Sequence, residues 1–503
     1  MSQPAKIIPM HQSRQWNAAK FSAQHADWNV ASRPVDVDIR HGLSLLRARA
    51  RELYQNSDHA RGFVRIVRNN IVGAPGFVLQ SRAKRANGKP DQRLRAAVER
   101  EWEAWGRRGI CEASRKFSWR QLQRHVVETV ARDGEAFVRL LPKGFNRWQL
   151  ALQVIDPEAV DVNFNGEHEG REIRMGVELD EWRAPVAYWI VAESRLYQSS
   201  YRVGDRYRVP ADEMIHIYMP EFFWQTRGVP WMATAASRLH MIQGTEDAEV
   251  TASRASAAKF AAYEAKEFAP QPQPAPGSPL VGVDGQPLNG DPGCFAQDLA
   301  PGSMEVVPWG YELKLLDPQH PNSAMPEFLK WGLRSVSTGL GVSYNTLGND
   351  AEGVNYTSLR FFLGVERDHW MEGQDWFQSE FPDVVFTAWM DHQIQLGTFG
   401  DRRGRELELF NIQWQPRRWE GPDPAKQASA DETELANGST TLHDIAARKG
   451  RDFDDLVSQR ITELSDIKAK AEAAGLTLSD VLPALAAKSC LTTSRPDAND
   501  DTP

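Results

Sequence analysis

Four polar positions in this chain have types and spacings that could do chemistry. Asp350 and Glu352 are two carboxylates of the kind that can hold a divalent cation, and Asp391 beside His392 is an acid next to a base. Asp350 and Glu352 sit among Gly348, Asn349, Gly353 and Asn355, which are strong turn formers, and no histidine lies nearby. Turn formation accounts for them. Asp391-His392 reads as a helix surface or a satisfied polar pair. No GxxxxGK[ST], HExxH, GxSxG or paired CxxC occurs, so phosphate-loop, zincin and hydrolase readings lose their usual support. The sequence predicts no catalysis, no metal site and no cofactor.

Composition narrows the class further. The 503 residues allow roughly two to four domains with sizeable cores, and 41% hydrophobic with 25% charged residues is ordinary globular material. A formal net charge of −8 gives no overall basic footprint for gripping DNA. The three cysteines, Cys111, Cys294 and Cys490, are too few and too scattered for a disulfide framework or a zinc site, and they suit a reducing compartment. No run approaches a membrane span and the opening residues lack a signal-peptide core, which predicts a soluble chain made in the cytoplasm and no membrane partner. Seventeen tryptophans point to extensive packed or intersubunit surfaces.

The elements that must position any site can be read from periodicity. Residues 1–35 read as a polar, flexible arm. Ala60, Phe63, Val64, Val67 and Ile71 keep helical spacing with Gly73 as the stop; a second helix carries Leu94, Val98, Trp102 and Trp105. A third opens at Ser118 with Gln121 completing a capping box, and continues through Val130. Arg82, Lys84, Arg85 and Lys89 form a basic run without interleaved aromatics, a solvated loop. Beyond Gly134, the runs 136–141, 149–155, 173–179, 186–191 and 214–218 are short, β-prone and separated by turn residues, so the fold class is α+β with an antiparallel or mixed sheet.

One long element follows. From Gly228 to Lys266 the only proline is Pro230, in the first turn, and alanine dominates after Ala248, so the sequence predicts a single helical rod of about 50–60 Å. Ala248, Ala252, Ala255, Ala258 and Ala262 give it small faces on which a neighbour can lie close. The proline-rich tract Phe268 to Pro279 leads into a small module ending near residue 323, and a second helix spans Ala324 to Leu340. A loop at 345–357 is pinned before helical spacing resumes at Leu359, Phe362, Leu363 and Glu366. Three helices read between Asp423 and Gly475, and the acidic end, 476–503, reads as partly disordered.

Several segments, in order, carry a further signal. They are DHARGFVRIVRNNIVGAPGFVLQ at 58–80, ARDGEAFVRLL at 131–141, LQVIDPEAVD at 152–161 and PADEMIHIYMPEFFWQTRGVPWMATAASRLH at 210–240. PGSMEVVPWGYELKLLDPQHPNS at 301–323, GLGVSYNTLGNDAEGVNYTSLR at 339–360 and the stretch from Gln413 to Leu456 complete the series. RGVPW and GVNYTS are the most telling, and the whole, which covers most of residues 40–475, resembles the lambda-like family of tailed-phage portal proteins.

The resemblance implies a phage portal fold assembled as a ring, typically a dodecamer, with a central DNA channel at one vertex of the viral head. Carried onto this chain, 36–227 is the wing, 228–266 the first stem helix, 267–323 the clip and 324–344 the second stem helix. The segment 345–357 is the tunnel loop, 358–422 the channel helix with a return to the wing, and 423–475 the crown. The tunnel loop puts Asn349, Asp350, Glu352, Gly353, Asn355 and Tyr356 beside the passing duplex. Implied partners are the terminase large subunit, a head-tail adaptor, the major capsid or scaffold protein, and double-stranded DNA read without sequence specificity. The implied location is the portal vertex of the virion, after assembly in the host cytoplasm. Alternatives are a head-tail adaptor, which would be shorter and need no stem hairpin, an enzyme acting on DNA, which would need carboxylates on a rigid scaffold, and a monomeric binding module.

Overall fold

The computed structural model describes residues 32–85, 87–142, 145–191, 206–257, 260–265, 311–316, 324–350, 352, 355–400, 406–419, 424–449, 451 and 453–475. The elements run α1 (Val35–Asn56), α2 (Asp58–Ile71), β1 (Val78–Ser81), α3 (Gln92–Trp105), α4 (Trp119–Asp133), β2 (Glu135–Pro142) and β3 (Leu150–Ile155). Next come β4 (Gly166–His168), β5 (Arg171–Arg174), β6 (Val177–Leu179), β7 (Pro185–Val191), β8 (Arg206–Pro210) and β9 (Met214–Tyr218). Then α5 (Ala236–Ala257), β10 (Phe260–Ala265), β11 (Tyr311–Leu316), α6 (Met325–Leu340), α7 (Tyr344–Gly348) and α8 (Tyr356–Glu380) follow. The chain continues with α9 (Pro382–Gln395), β12 (Ile412–Gln415), α10 (Pro424–Ala436), α11 (Leu442–Arg448) and α12 (Phe453–Ala473). Two compact units result: one from residues 1–233 with 353–503, the other from 234–352.

The first unit is α+β with antiparallel sheets. Strand β2 lies between β3 and β9, and β4 to β8 form a five-stranded meander. β1 pairs with β12, Leu79 opposite Trp414, so the chain's return from the second unit closes onto its beginning. Around that closure the tryptophans gather: the Trp102 ring lies 4.8 Å from Trp105, 5.4 Å from Trp119, 5.2 Å from Trp389 and 5.9 Å from Trp414. Much of the aromatic content is therefore a packed core joining α3, α4, α9 and β12.

At the centre of the unit lies a charge cluster with no exposure. Glu135, at the start of β2, accepts hydrogen bonds from Arg47 Nη2 at 2.7 Å, Arg227 Nη2 at 2.6 Å and the backbone N–H of Gly228 at 3.0 Å. His216 Nε2 on β9 lies 2.9 Å from Oε2, the oxygen that the Gly228 N–H also reaches, while the two guanidiniums meet at Oε1. Burial would raise the Glu135 pKa, but Arg227, His216 and Arg47 more than offset that and hold it well below the usual carboxylate range. The same arginines tie in further segments: Arg227 donates to the carbonyls of Pro157, Val160 and Met175, and Arg47 to Glu158. The cluster thus joins the conspicuous sequence segments around Gly134, Asp156 and RGVPW. Gly134 has φ 94°, and a Cβ on it would collide with the backbone of Val229 and Pro230, while one on Gly228 would collide with the backbone of Gly134, so both glycines are needed for this approach.

The structure corrects several expectations. The 228–266 rod is not one helix: Gly228 to Pro230 is held against Gly134, Trp231 N–H donates to the Ala131 carbonyl, and α5 starts only at Ala236. At its other end, Phe260–Ala265 is a strand paired with Tyr311–Leu316, an antiparallel tertiary pairing that overrides alanine's helix preference. Strand β10 thus lies inside the expected first stem helix and β11 inside the expected 267–323 module; residues 266–310 and 317–323 of that stretch fall outside the described residues. The helix read at Ala324 to Leu340 matches α6, which ends where Gly341 turns left-handed at φ 68°, so the second stem helix that the resemblance extends to 344 stops earlier. The expected strand 173–179 is two strands, broken where Met175 and Gly176 both take positive φ.

α1 begins at Val35, behind Pro34, where the arm was expected to end; residues 1–31 and 476–503 lie outside the described residues. The periodicity of α1 went unread because its buried face, Asp36, Ile39, Leu43, Arg47, Ala50 and Leu53, contains two charged residues. The Ser118–Gln121 capping box and the strand Met214–Tyr218 match their expectations.

Removing one partner of a buried ion cluster strands the others. Glu135→Gln is expected to destabilise the first unit by about 3–5 kcal/mol, seen as a large drop in thermal midpoint. Glu172→Gln, at a more exposed pair with Arg174, shifts it by about 1 kcal/mol or less. Acid has a defined sign as well. Burial pushes the His216 pKa down, so the folded chain keeps it neutral and the unfolded chain takes up a proton. Its contribution is complete above about pH 6.5 and is lost as pH falls below that value. The thermal midpoint should fall between about pH 7 and pH 5, and fall less in His216→Gln.

Candidate functional site

The second unit is an antiparallel helix pair. Thr234 Oγ1 donates to the Gly339 carbonyl at 3.3 Å, Arg238 bonds Ser335, and Ile242 packs on Gly332, so numbers on α6 fall as those on α5 rise. A Cβ at Gly332 would lie 3.1 Å from Ile242 Cδ1, and the missing side chain lets the helices approach. Leu239, Ile242, Leu333, Val336 and Leu340 fill the seam. The small residue that sets this contact is therefore Gly332 rather than the alanines. Ala248 is exposed and Ala252 half-buried, while Ala255 lies on α5. Ala258 is outside the described residues, and Ala262 sits on β10 opposite Lys314, not on a helix.

Outside the seam, this pair presents large apolar side chains to solvent. Met241 is 70% exposed, Val250 58%, Phe328 50% and Trp331 63%. In the first unit, α8 does the same with Phe361, Phe362 and Val365. Isolated apolar residues on a surface are ordinary, but several large ones exposed on one helix pair are the kind of surface that partners cover.

The expected loop 345–357 is shorter than its sequence implies. Ser343 Oγ accepts from the Thr346 N–H at 3.2 Å and caps the short helix α7, which absorbs Asn345 to Gly348. Asn349 ends it in the left-handed region at φ 49°. Asn355 then caps α8, its Oδ1 accepting from the Ser358 N–H at 2.7 Å, and Tyr356 is the first residue of that helix, not a loop residue. Gly353 lies outside the described residues.

Asp350 and Glu352 are held by their own unit. Asp350 Oδ1 accepts from the Glu352 N–H at 2.8 Å, and its Oδ2 from the Tyr344 hydroxyl at 2.9 Å. Lys330 Nζ, from α6, lies 3.0 Å from Glu352 Oε2 and 3.4 Å from Asp350 Oδ2. The Glu352 N–H and then the Tyr344 hydroxyl hold the Asp350 pKa below its ordinary value, and the hydrogen bond to Glu352 followed by that to Asp350 raises that of Lys330. Arg334, one turn beyond Lys330, stands 5.4 Å from the Tyr344 ring centroid. The loop therefore offers a lysine-bridged carboxylate pair rather than two free anions. Among the described residues no three His, Cys, Asp or Glu side chains are grouped to hold a metal ion. Asp391 is exposed and His392 half-buried on α9.

Sequence reading missed Lys330, Arg334 and Tyr344. The available signal was the i,i+4 spacing of two cations on an otherwise apolar helix, FLKWGLRS.

Residues 21–374 match the family described as phage portal protein, lambda family. The "Probable portal protein" of Halomonas phage phiHAP-1 is 32% identical over 467 residues, covering 91% of this chain and 87% of that protein. "Portal protein B" of Escherichia phage lambda is 20% identical over 477 residues, covering 89% of each. Among solved structures, the neck of an empty GTA particle with C6 symmetry aligns at 15% identity and TM-score 0.41, covering 85% of this chain and 97% of that one. The neck of a native GTA particle with C12 symmetry aligns at 13% identity and TM-score 0.40, covering 84% and 95%. This chain belongs to the lambda family of phage portal proteins. It is a portal protein of a phage head, a structural component of the virion, not an enzyme.

The lysine bridge makes a direct prediction. Lys330→Ala should speed backbone hydrogen exchange across Asn345 to Glu352 while leaving global stability within about 1 kcal/mol, since exposed ion pairs contribute little. Unchanged exchange in that segment would show that the loop is held without the lysine.

Proposed function

We propose that copies of this chain close laterally into a ring, a dodecamer, through whose channel double-stranded DNA enters the head and later leaves it. The observation that carries the ring is the set of exposed apolar side chains on the α5–α6 pair, in a chain belonging to the portal family. Heterologous contacts repeated about one axis close into a ring when the rotation permits. On this reading residues 36–233 serve as wing, the α5–α6 pair as stem, and the residues between them, beginning at β10, as clip. The helices α10, α11 and α12 serve as crown. The clip receives the terminase large subunit during packaging and the head-tail adaptor afterwards, and capsid or scaffold protein surrounds the wing. Assembly takes place in the host cytoplasm.

A conduit works best with weak, sequence-independent contact. Each unpaired lysine or arginine facing the duplex adds a salt-dependent phosphate contact and hence friction. The channel loop proposed here, Asn349 to Asn355, suits that demand: Lys330 balances one of two carboxylates, leaving a small negative excess per subunit. No nucleotide-binding motif occurs in the sequence, so the work of moving DNA falls to the motor.

Two variants test the assembly and the channel separately. Trp331→Glu with Phe328→Glu, at exposed positions of α6, should shift purified protein from closed rings toward monomers without loss of helix content. Asp350→Lys with Glu352→Lys leaves three cations and no anion in the loop cluster. It should spare the ring but make heads retain DNA more tightly, with a salt dependence the parent lacks. Heads that fill and eject like the parent would place this loop away from the working channel.

A further inference from the structure

A cleft of about 860 Å³ opens on the first unit between the C-terminal end of α2, the turn at 73–75, the residues following β12 and the last turn of α11. Its charged lining is Arg417, Arg418, Arg448 and Lys449, and no carboxylate lines it. Two of these cations are balanced from behind. Arg448 Nη1 lies 2.9 Å from Glu434 and 3.7 Å from Asp431, and Lys449 Nζ lies 3.9 Å from Asp431. The other two are not. Arg417 gives Nη1 to the Asn69 carbonyl and to Asn70 Oδ1, neutral acceptors, leaving its Nε and Nη2 edge without a partner among the described residues. Arg418, exposed, makes no hydrogen bond or ion pair among the described residues.

Like charges have been brought together here at a cost. Burial and then the neighbouring Arg367 push Arg417 below its ordinary pKa, as expected where a part-buried cation lies near a like charge. Arg417 is nevertheless fixed in place. Its backbone carbonyl accepts from Gln374 Nε2 at 3.0 Å, the same nitrogen reaches the Asn70 carbonyl at 2.9 Å, and Trp419 Nε1 donates to Asn70 Oδ1 at 3.1 Å. A pre-positioned guanidinium edge beside a second free guanidinium and a lysine is the donor geometry that receives tetrahedral oxyanions.

We propose that this cleft binds a phosphate-bearing anion through the free edge of Arg417, with Arg418 and Lys449. The same phosphoryl chemistry is offered by the backbone of duplex DNA and by free pyrophosphate, and the experiment separates them. The site is independent of the channel proposed above.

A short labelled DNA duplex, read by anisotropy, and inorganic pyrophosphate, read by calorimetry, are titrated into the full chain at low and physiological salt. The parent is compared with Arg418→Gln/Lys449→Gln and with Lys84→Gln/Arg85→Gln, a control in a basic loop that does not line the cleft. Sedimentation establishes that all three share one assembly state. Affinity for at least one probe should fall about tenfold in the cleft variant, and for DNA the slope of log affinity against log salt should shrink by about two. The control should bind like the parent, and Arg418→Lys should restore binding in part. Binding of the duplex alone identifies DNA as the source, and of pyrophosphate alone a free phosphate. Absence of saturable binding to either probe, or the same loss in the control as in the cleft variant, overturns the site.

Discussion

The fully buried carboxylate of Glu135 is the interaction on which the rest of the first unit depends. Two guanidiniums, an imidazole and a backbone N–H converge on it from α1, β9 and the RGVPW segment. Such a cluster gains little over a well-packed apolar core, because desolvating charges offsets most of their attraction. What it supplies is direction. Arg227 bonds Glu135 while the next residue, Gly228, lies on Gly134, and together these contacts fix the path of the chain over Arg227 to Pro230. Asp133, next to Glu135, repeats the device with Arg51 and Arg132, so the C-terminal end of α4 and the start of β2 are pinned from both sides.

The second unit is organised on the opposite principle. Its helix pair is held by a thin seam and by a glycine that permits close approach, while its broad apolar residues are turned outward. The first unit is locked by charge and the second is sparsely packed within itself. On the proposed reading the helix pair would complete its packing against neighbouring copies.

Local signals were legible in the sequence wherever local chemistry decides the structure. The Ser118 capping box, Gly73 as a helix stop, and the β-prone runs at 136–141, 186–191 and 214–218 are settled by side chain to backbone hydrogen bonds, positive φ and local strand preference. Three features were not legible because distant partners decide them. Alanine-rich Phe260–Ala265 becomes a strand only because Tyr311–Leu316 pairs with it. Pro230 looks like a helix start, yet Glu135 and Gly134 hold its neighbours in an extended path. Arg47 and Asp36, charged residues on the buried face of α1, break the apolar period although both are satisfied in place. At the loop, the residue types were right for a turn, but the lysine that bridges its carboxylates comes from a helix about twenty residues earlier, beyond any local rule. The ordered family segments were more legible than the fold, and the charge cluster explains part of this: three of them meet at Glu135 and its arginines.

Native mass spectrometry of the purified, unmodified chain, across concentration and salt, addresses the central claim most directly. The account predicts a closed oligomer, a dodecamer, that persists on dilution. A monomer at every concentration and salt would contradict it.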